Sequence, residues 1–273
     1  MIKPGTYHGI PNEEYHRGPE WCDMLNASSL KHLRRSAAHY LAAKENPTKP
    51  TAAMILGTLI HSAVLEPDKF AAETIVMPEG VDRRTKAGKE AAAEFEARAE
   101  GKTVLTVDQD AICTGIINSL FSGRHETARK LLEGGKPEVS FAWEDAMTGQ
   151  MSKCRVDWLR SDNIMVELKS TADASHKTFM KQCANLDYDL SAAWYRSGVK
   201  AVTGEKVDYV FIAVETSAPF EIAVYMPGDA FFENGKTKVR QALEAYMKAK
   251  ESGIFAGYAD EVTELELPPW AYI

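Results

Sequence analysis

The fold of this chain is decided by two short segments, Cys154-Arg-Val-Asp-Trp-Leu159 and Val166-Glu-Leu-Lys-Ser-Thr171. In both, apolar residues are interleaved with a few charged ones, which is typical of strands. We therefore predict strands at 151–159 and 164–168, joined by a short loop. Because most of their residues are apolar, the two strands are expected to lie in a buried sheet, where an isolated charge is costly.

Three charged residues in these strands predict a metal site: Asp157, Glu167 and Lys169. A loop at 161–163 places Asp157 opposite Glu167, and Lys169 shares a strand face with Glu167, about 6.6 Å further along. Two carboxylates so close repel each other, and a bound cation relieves that repulsion. Such a site suits phosphodiester hydrolysis, in which carboxylates hold a divalent cation and a lysine orients the attacking water. The alternative is a surface hairpin whose charges are merely solvated.

The remaining sequence divides into a mainly helical part, residues 1–135, and a sheet-centred part, residues 136–260. Ser28 and Ser29 are predicted to cap the first helix, which continues through Tyr40. Further helices are predicted at 52–65, 86–100, 108–121, 174–184, 189–202 and 228–252, and further strands at 139–143, 207–214 and 220–226. Without an internal repeat or a long Ser/Gly linker, residues 1–273 are expected to form a single α/β domain with a mixed central sheet flanked by helices.

Composition limits the classes of function. The 273 residues are 45% hydrophobic, enough for a substantial core, and 32 Lys+Arg against 39 Asp+Glu give a net charge of −7. That charge is not typical of a nucleic-acid binder, so any DNA contact must be local. No apolar run is long enough for a membrane span, and the start lacks the apolar region of a secretory signal, which favours a cytoplasmic protein without a membrane partner.

The four cysteines form no Cys-x-x-Cys pair. Their wide spacing argues against a structural zinc site and against an iron–sulfur cluster, both of which need clustered thiolates. We expect ordinary reduced thiols.

The hairpin motif and the upstream segment Gly57-Thr-Leu-Ile-His61-Ser-Ala-Val-Leu-Glu66 resemble the PD-(D/E)xK nuclease superfamily, in its RecB- and Cas4-like branch. Within it, the chain is most similar to the exonuclease VIII (RecE) C-terminal nuclease domain family and its phage and prophage relatives. The similarity covers most of the chain and includes Tyr15-His16 and the segments 27–31, 36–40, 83–89 and 137–140. It implies a core like that of restriction endonucleases.

The resemblance also implies a set of metal ligands. His61 and the backbone carbonyl of Leu168 would join Asp157 and Glu167 around Mg²⁺, for which Mn²⁺ is a candidate substitute. Without the resemblance, His61 fits a buried histidine of the helix core equally well. Glu138 either reaches the site or simply ends a strand.

DNA contacts are expected from a few local residues. The family's Gln-x-x-x-Tyr motif corresponds to Ser191 and Tyr195, so a serine replaces the glutamine. The resemblance favours phosphate contacts for Arg83, Arg84 and Lys86, although such runs are usually solvated surface. Further candidates are Lys31, Arg34, Arg35, Lys89, Lys177 and Lys181.

The resemblance implies an Mg²⁺-dependent, ATP-independent 5′→3′ exonuclease that acts on linear double-stranded DNA and leaves 3′ tails for a RecT-like annealing protein. It also implies a ring-shaped homo-oligomer, a trimer or a tetramer. Two alternatives remain: a Cas4-like single-strand exonuclease or an endonuclease of the same superfamily, and a DNA-binding or assembly module without catalysis.

Overall fold

A six-stranded mixed sheet forms the centre of the computed structural model, which describes residues 2–80 and 84–268. The strands are β1 (Gly5–Tyr7), β2 (Thr74–Val76), β3 (Thr103–Leu105), β4 (Gly135–Glu144), β5 (Met151–Arg160), β6 (Ile164–Thr171), β7 (Asp208–Glu215) and β8 (Ile222–Tyr225). Their order in the large sheet is β1-β4-β5-β6-β7-β8, with β6 and β7 parallel and the other neighbours antiparallel. Strands β2 and β3 form a separate parallel pair.

Helices flank the large sheet. They are α1 (Asn12–Arg17), α2 (Ala27–Arg35), α3 (Ala37–Glu45), α4 (Ala52–Leu65), α5 (Pro67–Glu73), α6 (Lys86–Ala99), α7 (Val107–Phe121), α8 (Glu126–Leu131), α9 (His176–Asn185), α10 (Tyr188–Thr203) and α11 (Asp229–Ser252). Among them, none combines the length and the apolar character needed to traverse a bilayer, as far as the described residues extend. The predicted fold class, a mixed sheet flanked by helices, is confirmed.

The first predicted helix is wrong in two respects. Ser36 adopts an extended conformation, with φ −175° and ψ 161°, and divides the segment into α2 and α3. Its side chain accepts the His39 N–H and so caps α3, because a serine hydroxyl competes with the helical hydrogen bonds of the backbone. The cap of α2 is Asn26, which accepts the Ser29 N–H, rather than Ser28 or Ser29 themselves.

The sheet carries a buried core on each face. On one face α2, α10 and α11 pack together, and their apolar residues meet Met165, Tyr209 and Phe211 of the sheet. On the other face α4 and α7 cover Val166 and Leu168. Since side chains alternate along a strand, Glu167 points away from the α4 and α7 side. Both helix layers therefore border the segment that carries the charged residues.

Candidate active site

The hairpin of β5 and β6 has the predicted register, but the two strands stop pairing a short distance from the loop. Its backbone pairs are Trp158 with Val166 and Leu159 with Met165, so the same register continued puts Asp157 beside Glu167. The described ladder ends before that pair. Instead, Asp157 Oδ2 accepts the Leu168 N–H at 2.8 Å. The side chain of Asp157 thus occupies the gap between the strands.

Glu167 and Lys169 form an ion pair on one face of β6. Lys169 Nζ lies 2.6 Å from Glu167 Oε1, and the Glu167 side chain is 3% exposed. Burial alone would lower the pKa of Lys169, but the Glu167 and Asp157 charges outweigh it and raise that pKa above its ordinary value. Lys169 is therefore fully cationic at neutral pH.

Both carboxylates of the hairpin are destabilised as anions. Burial raises the pKa of Asp157, against the opposing effects of Lys169 and the Leu168 N–H. Burial, and next the Asp157 charge, raise the pKa of Glu167. Glu167 Oε2 is also buried and has no hydrogen-bond partner among the described residues. An added cation would relieve both costs.

His61 lies on α4, which packs on the sheet face that carries Val166 and Leu168, and its side chain approaches Asp157 in the gap between β5 and β6. Its Nδ1 lies 3.7 Å from Asp157 Oδ1. Burial, and next the Lys169 charge, lower the pKa of His61 to about 4. The imidazole is therefore neutral at neutral pH and keeps a lone pair for a metal ion.

Glu138 joins the same group from β4. Strands β4 and β5 pair on both sides of it, through Pro137 and Val139, in a register that puts Glu138 opposite Asp157. Glu138 has a φ of 51° and interrupts the ladder. Burial, and next the Asp157 charge, raise its pKa to about 8. Glu138 therefore lies within β4 beside Asp157 and does not end a strand. The register argument used for β5 and β6, if applied to β4 and β5, would have placed Glu138 at the site.

These residues suit a divalent cation. One donor atom each of His61, Glu138 and Asp157 lies within 4.8 Å of the others. Ligands on opposite sides of Mg²⁺ are about 4.2 Å apart, so small side-chain adjustments would close the set. The Leu168 carbonyl faces the same gap as its N–H, because both groups of an extended residue point to one side. The unpartnered Glu167 Oε2 offers a further oxygen.

Arg155 lies beside Glu138 and was not among the site residues predicted from the sequence. Its Nη1 lies 3.8 Å from Glu138 Oε2, and its guanidinium stacks 4.0 Å from the centre of the Tyr15 ring. Its Nε donates to Ser140 Oγ and its Nη2 to the Ile10 carbonyl, both at 2.9 Å. The N-terminal segment thereby fixes the Arg155 guanidinium beside Glu138. The signal available in the sequence was the alternation that puts Arg155 on the strand face of Asp157.

The two residues aligned with the Gln-x-x-x-Tyr motif differ in their surroundings. Burial, and next the Glu167 charge, raise the pKa of Tyr195 well above its ordinary value, so its phenol lies near the site carboxylates. Ser191 is buried, and its hydroxyl donates to the Asp187 carbonyl of its own chain segment at 3.3 Å. Within the described part of the chain, no hydrogen bond joins Ser191 to the carboxylates of the site.

The basic candidates are dispersed. Arg83 lies outside the described residues, and Arg84 and Lys86 are exposed where α6 begins. Lys86 Nζ is 3.9 Å from Glu90 Oε1. Lys89, Lys177 and Lys181 are exposed, whereas Arg34 binds Asp187 Oδ1 at 2.5 Å and Arg35 donates to Tyr258 Oη at 3.2 Å.

Lys31 is the basic candidate that lies close to the site. Its Nζ is 5.6 Å from the centre of the Tyr188 ring, and Lys169 Nζ is 5.4 Å from the same centre. Burial, and next the Lys169 charge, lower the pKa of Lys31 to about 8. Two ammonium groups therefore share one aromatic ring at the edge of the site.

A family model described as a PDDEXK-like domain of unknown function (DUF3799) matches residues 26–267. The chain belongs to this PDDEXK-like family. Membership confirms the superfamily predicted from the hairpin and His61 motifs, whereas the relationship to RecE stays a prediction.

A solved structure agrees with this membership at the level of fold. A candidate exonuclease from Eubacterium rectale is 15% identical, matches 96% of this chain and 97% of its own, and has a TM-score of 0.59. A protein named SSO0001 is 17% identical over 70% of this chain and 84% of its own, with a TM-score of 0.32, too low to support an argument. No curated protein matches the chain.

Proposed function

We propose that this PDDEXK-like chain is an Mg²⁺-dependent, ATP-independent 5′→3′ exodeoxyribonuclease that degrades linear double-stranded DNA. The observation that carries the nuclease assignment is the convergence of His61, Glu138 and Asp157 donor atoms within 4.8 Å, beside the Glu167–Lys169 pair. Oxygen-rich ligands with one imidazole suit a hard divalent cation, and Mn²⁺ is the expected substitute for Mg²⁺.

The residues divide the chemistry among themselves. Asp157, Glu167, Glu138 and His61 would hold the cation, which supplies charge stabilisation at the phosphate and a more acidic water when it is bound. Lys169, held by Glu167 at 2.6 Å, orients the attacking water and offsets the charge that develops on the phosphate oxygens.

The finer part of the proposal rests on resemblance. Similarity to the RecE nuclease family favours 5′→3′ polarity, 3′ tails handed to a RecT-like annealing protein, and a ring-shaped trimer or tetramer. A cytoplasmic location is also part of the proposal. The name of the Eubacterium rectale protein favours an exonuclease over an endonuclease. Arg83, Arg84, Lys86, Ser191 and Tyr195 stay candidates for DNA contact.

Lys169→Ala provides the main test. With Mg²⁺ and an end-labelled, 5′-phosphorylated linear duplex, the variant should lose at least about a hundredfold in rate while it still binds DNA, because a positioned proton-transfer or water-orienting group contributes about that much. Lys236→Ala is the matched control, since Lys236 forms an exposed pair with Glu233 at 2.7 Å. Undiminished cleavage by Lys169→Ala would contradict the site assignment.

The choice of substrate separates the alternatives. Cleavage of covalently closed DNA would favour an endonuclease, and degradation restricted to single strands would favour a Cas4-like enzyme. Earlier release of a 5′ label than of a 3′ label supports the proposed polarity. If wild-type protein with Mg²⁺ degraded no form of DNA, the module without catalysis would be the better interpretation.

A further inference from the structure

Tyr209 lies on the strand next to Glu167. Strands β6 and β7 are parallel, with Met165 opposite Tyr209 and Glu167 opposite Phe211. Paired residues of neighbouring strands point to the same face, so Tyr209 and Glu167 share a face with an offset of two residues. A tyrosine side chain is long enough to span that diagonal. The register thus places the carboxylate of Glu167 within reach of the Tyr209 phenol.

The ring of Tyr209 is held firmly by its neighbours. Its centroid is 5.1 Å from that of Phe211 at an interplanar angle of 69°, and 6.2 Å from that of Phe232 at 75°. The residue is only 2% exposed. Apolar packing therefore accounts for an aromatic ring at this position. A phenylalanine would provide the same packing.

The hydroxyl needs a separate explanation. Within the described part of the chain, Tyr209 Oη and Glu167 Oε2 are both buried without a hydrogen-bond partner. After burial, the Glu167 charge is the largest contribution that raises the pKa of Tyr209, which shows that the two groups are neighbours. A smaller side-chain hydrogen-bond contribution from Glu167 also raises that pKa, so the two groups lie close to hydrogen-bonding distance although the pair does not meet the full geometry of a hydrogen bond. An unused donor thus lies beside an unused acceptor at the site itself.

We propose that Tyr209 is a positioning residue for the metal site: its hydroxyl donates a hydrogen bond to Glu167 Oε2 and fixes the carboxylate for cation binding. The oxygen has two lone pairs, so one can accept the phenol while the other stays available. Lys169 already holds Oε1, and a second hydrogen bond would lock the rotation of the carboxylate. Partners that orient metal-binding carboxylates in this way commonly change metal affinity by about tenfold or more.

The test is Mn²⁺ binding to Tyr209→Phe in the absence of DNA, measured by electron paramagnetic resonance. We expect a Kd about tenfold higher than that of the wild type. In EDTA the thermal midpoint should fall modestly, because the variant leaves the buried Glu167 Oε2 without the hydrogen bond that the phenol donates. Tyr246→Phe is the matched control: its hydroxyl donates to Gln150 Oε1 at 3.1 Å, so its loss should lower the thermal midpoint without changing Mn²⁺ affinity.

This inference rests on the proposed metal site, and Glu167→Gln separates the two. If Glu167→Gln weakens Mn²⁺ binding but Tyr209→Phe stays within twofold of the wild type, the role of Tyr209 is overturned and the site stands. Equal weakening in Tyr209→Phe and Tyr246→Phe would overturn it as well, because the effect would then be general. If the wild type binds no Mn²⁺, the metal site and this inference fail together.

Discussion

Among the individual residues of the site, Glu138 has an unfavourable position for a charge. It faces Asp157 on the neighbouring strand, its side chain is 28% exposed, and the Arg155 guanidinium at 3.8 Å compensates its charge in part. Burial and the Asp157 charge raise its pKa to about 8. A carboxyl group with such a pKa costs the metal-free protein stability whenever it is ionised.

Glu138 therefore predicts how the stability of the metal-free protein depends on pH. The pKa of Glu138 in the folded protein lies above its value in the unfolded chain. Its stabilising contribution to the free energy of unfolding is therefore fully present below about pH 4.5 and is lost as the pH rises toward about 8. In EDTA, the thermal midpoint of the wild type should fall between pH 6.5 and 8.5 more steeply than that of Glu138→Gln. This window avoids His61, whose lowered pKa changes stability only below about pH 6.5.

The measurement is the melting temperature of both proteins at the two pH values, repeated with Mg²⁺. Added Mg²⁺ should reduce the wild-type slope, because the cation compensates the ionised carboxylate. Parallel slopes for wild type and Glu138→Gln in EDTA would contradict the proposed cost of this group.

At the scale of helices and strands, much of the architecture was predictable from local patterns. Helix α4 has the predicted bounds, because Thr51 caps its start and Pro67 follows its end. The hairpin register followed from the three-residue loop and the alternation of side chains. Such features depend on a few neighbouring residues and on a regular backbone.

Features that depend on distant contacts or an irregular backbone were harder to predict. The extended conformation of Ser36 and the left-handed φ of Glu138 break a regular pattern at one residue each. Arg155 gains its place from Ile10 and Tyr15, which are far away in sequence. Short elements such as α1, α5 and α8 contain too few residues for a clear periodicity.

The close approach of α10 and α11 leads to a prediction about two glycines. A Cβ on Gly235 of α11 would lie 2.1 Å from the backbone oxygen of Asp189, whereas a Cβ on Gly57 of α4 would meet only Ser170 Oγ, at 3.8 Å. Gly235→Ala should lower the free energy of unfolding by about 2–3 kcal/mol, because backbone must move. Gly57→Ala should raise it by up to about 1 kcal/mol, as expected for alanine in a helix.

Urea unfolding followed by circular dichroism would measure both changes. The Gly57 variant serves as the control, since it makes the same substitution within a helix without the clash. Equal effects of the two substitutions would show that α10 and α11 are not in tight backbone contact.

For the whole molecule, the site depends on segments from both parts of the chain. His61 comes from the mainly helical N-terminal part, and Glu138, Asp157 and Glu167 come from three successive strands of the sheet. Helix α4 must pack on β6 before these donors meet. A partly folded chain that lacks this packing has no complete set of ligands.

This dependence has a kinetic consequence. If the donors meet only after the folding barrier, a cation at about 100 times its Kd should slow unfolding about a hundredfold and leave refolding unchanged. Stopped-flow measurements in guanidinium, with Mn²⁺ or with EDTA, would resolve the two rates. Faster refolding with an unaltered unfolding rate would mean instead that the ligands assemble early. In the expected case, the bound cation prolongs the lifetime of the folded protein but does not accelerate its folding.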